Sequence, residues 1–413
     1  MAATIPLWLP VTIGVLSAAS IVALLLLRQQ ARRENRADPA RIARAVQAAR
    51  AALARVPERR RRALARARMR LAMVLTETGG RRSDPVALAE ARDLLAQTIP
   101  ALEEERLTGE WATAVYYRGR AEWGLGAMRV DTGGLELAVA TFRHVLTLKK
   151  WPRHLLRAVI VSLPAVILTD IGERRDDTTI MQEGVAMARD AVATARRRIG
   201  VEWCIVHRNL SQALAVLGRR TGDRAMLEEA LAAARVAIAT GNPRRYPGLF
   251  MFAQASLGFV LSTLGETTGD RALLEEAVAV LEAARSTDGR DVFPEGRTML
   301  LQSLGGARLA LGRARGDPAM LDAAADDLRA AMAALDAAHM PFPKAETGML
   351  LGEALAALGD AAAARAQFEG SRAVFTAAGA KRQAAQTGSA LARLDGAPGP
   401  PGSASHIPVY QVR

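Results

Sequence analysis

Residues 209–235 read NLSQALAVLGRRTGDRAMLEEALAAAR. Leu210, Ala213 and Leu217 stand three and four residues apart, the spacing of one helical face. Leu217-Gly218 follows, then a turn over 219–223, then a second amphipathic run from Arg224. The pattern returns from Ser256 as SLGFVLSTLGETTGDRALLEEAVAVLEAAR and from Ser303 as SLGGARLALGRARGDPAMLDAAADDLRAAM. The unit is a helical hairpin and the chain is that unit repeated. Self-similarity at a fixed period is the sequence signature of a solenoid.

Two markers give the period. Glycine recurs at Gly79, Gly126, Gly172, Gly218, Gly265, Gly312 and Gly359, in steps of 46 or 47 residues. Aspartate recurs at Asp38, Asp84, Asp131, Asp177, Asp223, Asp270 and Asp317, in steps of the same size. The glycines are expected to end the first helix of each hairpin. The aspartates are expected to cap the second, each side chain accepting a hydrogen bond from a free N–H of the first turn. Pro39, Pro85 and Pro318 follow three of them, and proline is favoured at the first helical position. Caps spaced one per repeat lie along one edge of a solenoid and do not converge on a metal ion.

The spacing predicts an all-α chain of about seven hairpins. First helices are expected near 58–78, 110–126, 153–172, 201–218, 247–265, 295–312 and 344–359. Second helices are expected near 85–99, 132–149, 178–198, 224–239, 271–286, 318–337 and 361–377. A lone helix over 39–56 precedes the array, and a polar-faced helix over 381–394 closes its open end. Pro164 lies inside a first helix and is expected to kink it. Core columns are readable down the repeats: Leu125, Ile171, Leu217, Leu264, Leu311 and Leu358 in one, Ala121, Ile167, Ala213, Val260, Ala307 and Ala354 in the other.

Composition agrees with close-packed helices. Half of the residues are hydrophobic, but only 4% are aromatic, which argues against a β-rich fold. Of the 55 basic residues only four are lysine, an Arg-rich usage that with abundant Ala and Gly points to a bacterial, GC-rich source. Net charge is +13. Residues 28–70 hold 15 arginines against Glu34, Asp38 and Glu58, while the rest of the chain is nearly balanced. A body without a basic stripe is disfavoured as a nucleic-acid binder. The single cysteine, Cys204, excludes an intramolecular disulfide and a cysteine-based zinc site.

The N-terminal region reads as an anchor. Residues 5–27 carry no charge and are long enough to cross a hydrocarbon core of about 30 Å. Arg28, Arg32, Arg33 and Arg36 follow at once, and no basic side chain precedes the run. The positive-inside rule then puts residues 1–4 outside the cell membrane and the repeats in the cytoplasm. A cleaved signal peptide is the rival, but its small-residue patch Ser17-Ala18-Ala19-Ser20 falls inside the apolar run. Residues 28–70 form an Arg-rich collar suited either to a solvated helix face or to anionic headgroups. Residues 71–394 are the array, and 395–413, rich in Pro, Gly and Ser, read as a disordered tail.

The unit resembles the tetratricopeptide repeat family over roughly residues 38–394. The resemblance is clearest in Leu358-Gly359-Asp360 with Ala364, Phe368, Ala373, Phe375, Ala377 and Gly379. The longer pattern LG-x-x-x-GD-x-x-x-LEEA, at 217–230 and 264–277, resembles bacterial arrays that accompany signalling or caspase-like protease modules. The departure is the period, since the family's usual unit is about 34 residues. The resemblance implies a protein-interaction scaffold. It also admits a regulatory or sensor subunit of a signalling or defence system whose catalytic part is on another chain.

No catalytic or cofactor motif emerges: no phosphate loop, no HExxH, no Gly-x-Ser-x-Gly elbow. Cys204 and His207, three residues apart on a helix, read as packed core residues. The chain is therefore expected not to be an enzyme and to need no cofactor or metal. One column is a candidate site. Trp111, Arg157, Trp203, Phe250, Arg297 and Lys344 occupy one position of successive first helices. Such a row suits an inner groove holding a peptide or another protein, or it suits packing between hairpins with the long side chains reaching solvent.

Overall fold

In a computed structural model, the chain is described over residues 39–82, 84–104, 107–129, 131–148, 157–195, 200–286, 294–335 and 340–396. The apolar run 5–27, Asp38 and the tail from 397 onward lie outside the described residues. Among the described residues there are sixteen α-helices and no strand. A lead-in helix, α1 (Pro39–Ala54), is followed by seven hairpins. They are α2 (Arg61–Arg82) with α3 (Pro85–Glu104), α4 (Thr108–Met128) with α5 (Gly133–Leu146), and α6 (Arg157–Arg175) with α7 (Thr178–Thr194). Next come α8 (Val201–Thr221) with α9 (Arg224–Thr240), α10 (Pro247–Thr268) with α11 (Arg271–Ser286), and α12 (Pro294–Arg315) with α13 (Pro318–Ala334). The last is α14 (Pro341–Ala357) with α15 (Ala361–Ala377), and α16 (Lys381–Leu394) ends the array.

The repeated glycines do a different job from the one their spacing suggests. Only Gly359, at φ +86°, stands where a helix ends. Gly172, Gly218, Gly265 and Gly312 lie inside their helices, and α8, for example, continues to Thr221. Each faces the apolar residue that opens the second helix. A Cβ on Gly218 would lie 3.1 Å from Leu227, and one on Gly172 would lie 2.6 Å from Met181 and 2.7 Å from the Asp177 carbonyl oxygen. These are close-approach glycines that let the two helices of a hairpin cross. The helix end falls four residues later, at Gly222, Gly269 and Gly316, all with φ near +65°. Hairpin 3 uses Asp176 there, at φ +58°.

The backbone closes the turn in one motif. Asp223 N donates to Gly218 O at 2.9 Å, the six-to-one bond that follows a left-handed residue at a helix end. The same bond joins Asp84 to Gly79, Asp177 to Gly172 and Asp317 to Gly312. The side chain of the same aspartate then caps the next helix. Asp223 accepts from Met226 N at 3.0 Å, Asp177 from Thr179 N at 2.8 Å, and Asp317 from Ala319 N at 3.0 Å. Asp84, Asp131 and Asp270 accept from Val86, Gly133 and Ala272 in the same way.

Two prolines are absorbed inside helices. The second helix of hairpin 1 runs through Pro100 to Glu104, five residues beyond its expected end at 99. Continuing buries Leu102 completely, which offsets the hydrogen bond that proline cannot donate. Helix α6 likewise runs through Pro164. The core columns are in place: Ile171, Leu217, Leu264 and Leu311 are buried, as are Ala121, Ile167, Ala213, Val260, Ala307 and Ala354.

Successive hairpins stack, first helices inside and second helices outside. Outer helices are joined by a ladder of ion pairs across neighbouring repeats, Arg50 with Glu90, Arg143 with Glu183, Arg189 with Glu229 and Arg235 with Glu276. The inner helices meet a second time. α2 touches α12 and α4 touches α14, first helices five hairpins apart, and α6 touches the terminal helix α16. Five hairpins therefore complete one superhelical turn, and the second turn touches the first. This is why first helices are buried almost all round: in α6 every residue from Ile160 to Arg174 is buried. One described helix, α10, is long and apolar enough to cross a bilayer, but 78% of its apolar window is buried inside the array.

Candidate functional site

The aromatic and cationic column lies at the seams between hairpins. Trp111 is buried, its Nε1 donating to Glu103 Oε1 at 2.8 Å from the end of α3, with His144 edge-on at 5.0 Å. Half-buried Trp203 meets His207 edge to face at 4.2 Å and packs against the cluster of Ala158, Val161, Ala191 and Val206. Phe250 covers Gly241, where a Cβ would come within 2.7 Å of its ring. Lys344 Nζ donates to the Leu335 carbonyl at 3.4 Å. Arg157 is half-buried and Arg297 is exposed. Trp111, Phe250 and Lys344 each reach the end of the preceding second helix, and Trp111 also meets His144 at the end of the second helix of its own hairpin. Among the described residues, none of these contacts runs from one column member to another.

A different column faces the axis, and it is charged. The residue after each repeat glycine is Glu173, Arg219, Glu266 and Arg313 in hairpins 3 to 6. Alternating signs make neighbours complementary. Arg219 Nη2 pairs with Glu173, and Arg313 Nη2 pairs with Glu353 of hairpin 7. Glu266 lies near Arg219 and Arg313, both already engaged, and burial pushes its carboxyl up to about 8. The alternation is visible at steps of 46 and 47 in the sequence. It escapes a reading for hydrophobic period because the residues lie past the glycine taken as the helix end.

Beside this ladder, Arg174 holds Asp170 in a two-pronged pair at 2.7 and 3.1 Å, both side chains buried. Arg174 also places its guanidinium 4.3 Å from the centre of the Phe342 ring, which comes from hairpin 7. Gln383 Nε2, on α16, donates to the Glu173 carbonyl at 3.3 Å across 210 residues of sequence. Two further buried charges replace leucines of the inner helices. Glu122 accepts from Arg118 and Thr141, and Arg308 donates to Asp327 and Glu282.

Cys204 is fully buried with Ala237 and Ala253, and burial raises its thiol pKa. Burial lowers the pKa of His207, whose ring nitrogens have no hydrogen-bond partner among the described residues. Among the described residues no three metal-binding side chains converge.

No protein-family model matches the chain, and no curated protein matches it. A solved structure described as a "circular tandem repeat protein with novel repeat topology and enhanced subunit contact surfaces" aligns over 91% of this chain and 87% of its own, at 15% identity and a TM-score of 0.22. The class follows from this chain's own helical hairpins and their stacking. The protein is a helical tandem-repeat protein, an α-solenoid of seven hairpins.

Proposed function

We propose that the protein is a membrane-anchored scaffold whose tetratricopeptide-like solenoid binds another protein or peptide on the cytoplasmic side. The observation that carries this reading is the continuous stack of seven hairpins, an extended surface of the kind solenoids use for partner binding. Residues 5–27 would be the single-pass anchor. Arg55, Arg59 and Arg60, exposed at the turn between α1 and α2, would face anionic headgroups, each basic group near the surface contributing about 1 kcal/mol. The seam column from Trp111 to Lys344 remains the candidate peptide site on this reading. No step of it calls for catalysis or a cofactor. The second reading, which the resemblance admits, is a regulatory or sensor subunit of a signalling or defence system whose catalytic part is on another chain.

The test is a crosslinked capture from native membranes with the full chain and with a version starting at Asp38. A partner held by both places recognition in the repeats. A partner held only by the full chain moves recognition to residues 1–37 and overturns the solenoid as the binding surface. Membrane attachment is read separately, by alkaline extraction: release of the full chain into the soluble fraction would remove the anchor.

A further inference from the structure

The two ends of the array are finished differently. At the C-terminal end α16 packs on α14 and α15, and its Ala390 and Leu391 are buried. Among the described residues, no helix does the same for α1. This helix stands in the place of a second helix, one step of 46 residues ahead of α3. In α3 that step leads to Ala91, Leu95, Thr98 and Leu102, all fully buried. Their counterparts in α1 are Ala45, Ala49, Ala52 and Val56. Ala45 and Ala52 are exposed, while Ala49 and Val56 are only half-buried, as is Leu53. α2 shows the same gap. Its Val74 is half-buried, in a column that is buried in every later hairpin. The end unit of a solenoid needs a polar outer face to stay soluble, so an apolar side left open there calls for a cover.

The preceding residues of the chain do not fit as the missing first helix. The step that carries Asp84 back to Asp38 carries Gly79 back to Arg33. Gly79 is a close-approach position, where even a Cβ would come within 2.9 Å of Leu88. The same register puts Arg28 and Arg32 in the core columns of Ala121 and Leu125. A second copy fits no better. Residues 43–62 hold Arg44, Arg50, Arg55 and the arginine run 59–62 against one acid, Glu58, all of them exposed. Two such ends brought together would set like charges against each other. An anionic bilayer answers both the apolar side and the charge, as it does for interfacial helices. It is also within reach. Residues 28–38, between the apolar run and α1, span at most about 40 Å when fully extended.

We propose that the open side of α1 docks on an anionic bilayer, so that the solenoid stands on the membrane by its N-terminal end. The inference rests on the reading of residues 5–27 as an anchor and adds a second, peripheral contact to it. Ala45, Ala52 and Leu53 face the acyl boundary. Arg55, three residues on from Ala52, and Arg59 and Arg60 in the turn after α1 sit among the headgroups. The bilayer takes the place that a first helix takes in every later repeat.

The test is spin-label power saturation on the full chain in nanodiscs of phosphatidylcholine with about a third phosphatidylserine. Single labels are placed at Ala45, Gln47, Ala52 or Ala385, all exposed, in a Cys204→Ala background. Labels at 45 and 52 are expected to favour oxygen over a water-soluble nickel chelate at least about threefold more than the label at 385. The label at 47, on the opposite side of α1, is expected to stay aqueous. Replacing Arg55, Arg59 and Arg60 together by glutamine, or leaving out phosphatidylserine, is expected to return 45 and 52 toward aqueous values while the chain stays in the disc. Aqueous values at 45 and 52 in a chain held by the disc overturn the docking and leave the anchor standing. A chain that does not enter the disc overturns the anchor, and the inference with it. Dipolar broadening between labels at 45 also overturns it, by showing that a second copy covers the face.

Discussion

Gly172 and Gly222 illustrate two reasons for a glycine in one repeat. Gly172 sits in a helix interior, where a methyl group would strike Met181 and the Asp177 carbonyl. Gly222 has open space around it but a φ of +69°. The two substitutions should therefore differ. Gly172→Ala pushes α7 away from α6 and is expected to cost about 1–3 kcal/mol, the usual range for overpacking a tight core. Gly222→Ala is expected to cost about 1–2 kcal/mol, from the left-handed backbone alone. Urea denaturation checks the sizes. A high-resolution structure separates the causes: a displaced α7 for the first variant, an unmoved α9 for the second. The same scale governs the caps. Asp223→Ala leaves the Met226 N–H without its side-chain partner and should cost about 1 kcal/mol by the same assay.

At the scale of the element, inner and outer helices obey different rules. The outer helices bury one stripe, as in α9, where Leu227, Ala230, Leu231, Ala234 and Ala237 point inward and Glu228 and Glu229 outward. The inner helices from α6 onward are covered on most sides, so their polar residues must find partners, and the alternating column supplies them. Glu266 is the member in surplus. Its carboxyl, pushed up to about 8, favours the folded state fully below pH 4.5, and that contribution is lost as pH rises through about 8. Glu266→Gln should therefore flatten the fall in melting temperature across that window and leave the acid side unchanged. An undiminished fall in the variant would show that Glu266 is not the group responsible.

At the scale of the molecule, contact between repeats five apart changes what kind of array this is. A solenoid whose repeats touch only their neighbours loses cooperativity as it lengthens, since each end can unzip. Here α12, α14 and α16 tie the second turn to the first. The expected outcome is one urea transition. Tryptophan emission, with described reporters Trp111, Trp123 and Trp203 in hairpins 2 and 4, should coincide with the helical circular dichroism signal of the whole chain. Separate midpoints would mean that the turns unfold independently. The outer ladder should matter less. Arg189→Ala removes an exposed pair with Glu229 and is expected to cost under about 1 kcal/mol, with little left at high salt.

The sequence alone determined the repeating unit, its number and the capping aspartates, because each follows from local periodicity and backbone hydrogen bonding. Leu217 and Ala213 marked a core face for the same reason. Only the tertiary structure decided where the first helices end and what the repeated glycine is for. A glycine before a turn looks the same whether it breaks a helix or admits a neighbour's leucine. Superhelical pitch was likewise out of reach: it is set by small rotations summed over five hairpins, which no single repeat encodes. That sum brings Glu346 to Asp170 and Gln383 to Glu173, contacts between repeats far apart in the chain.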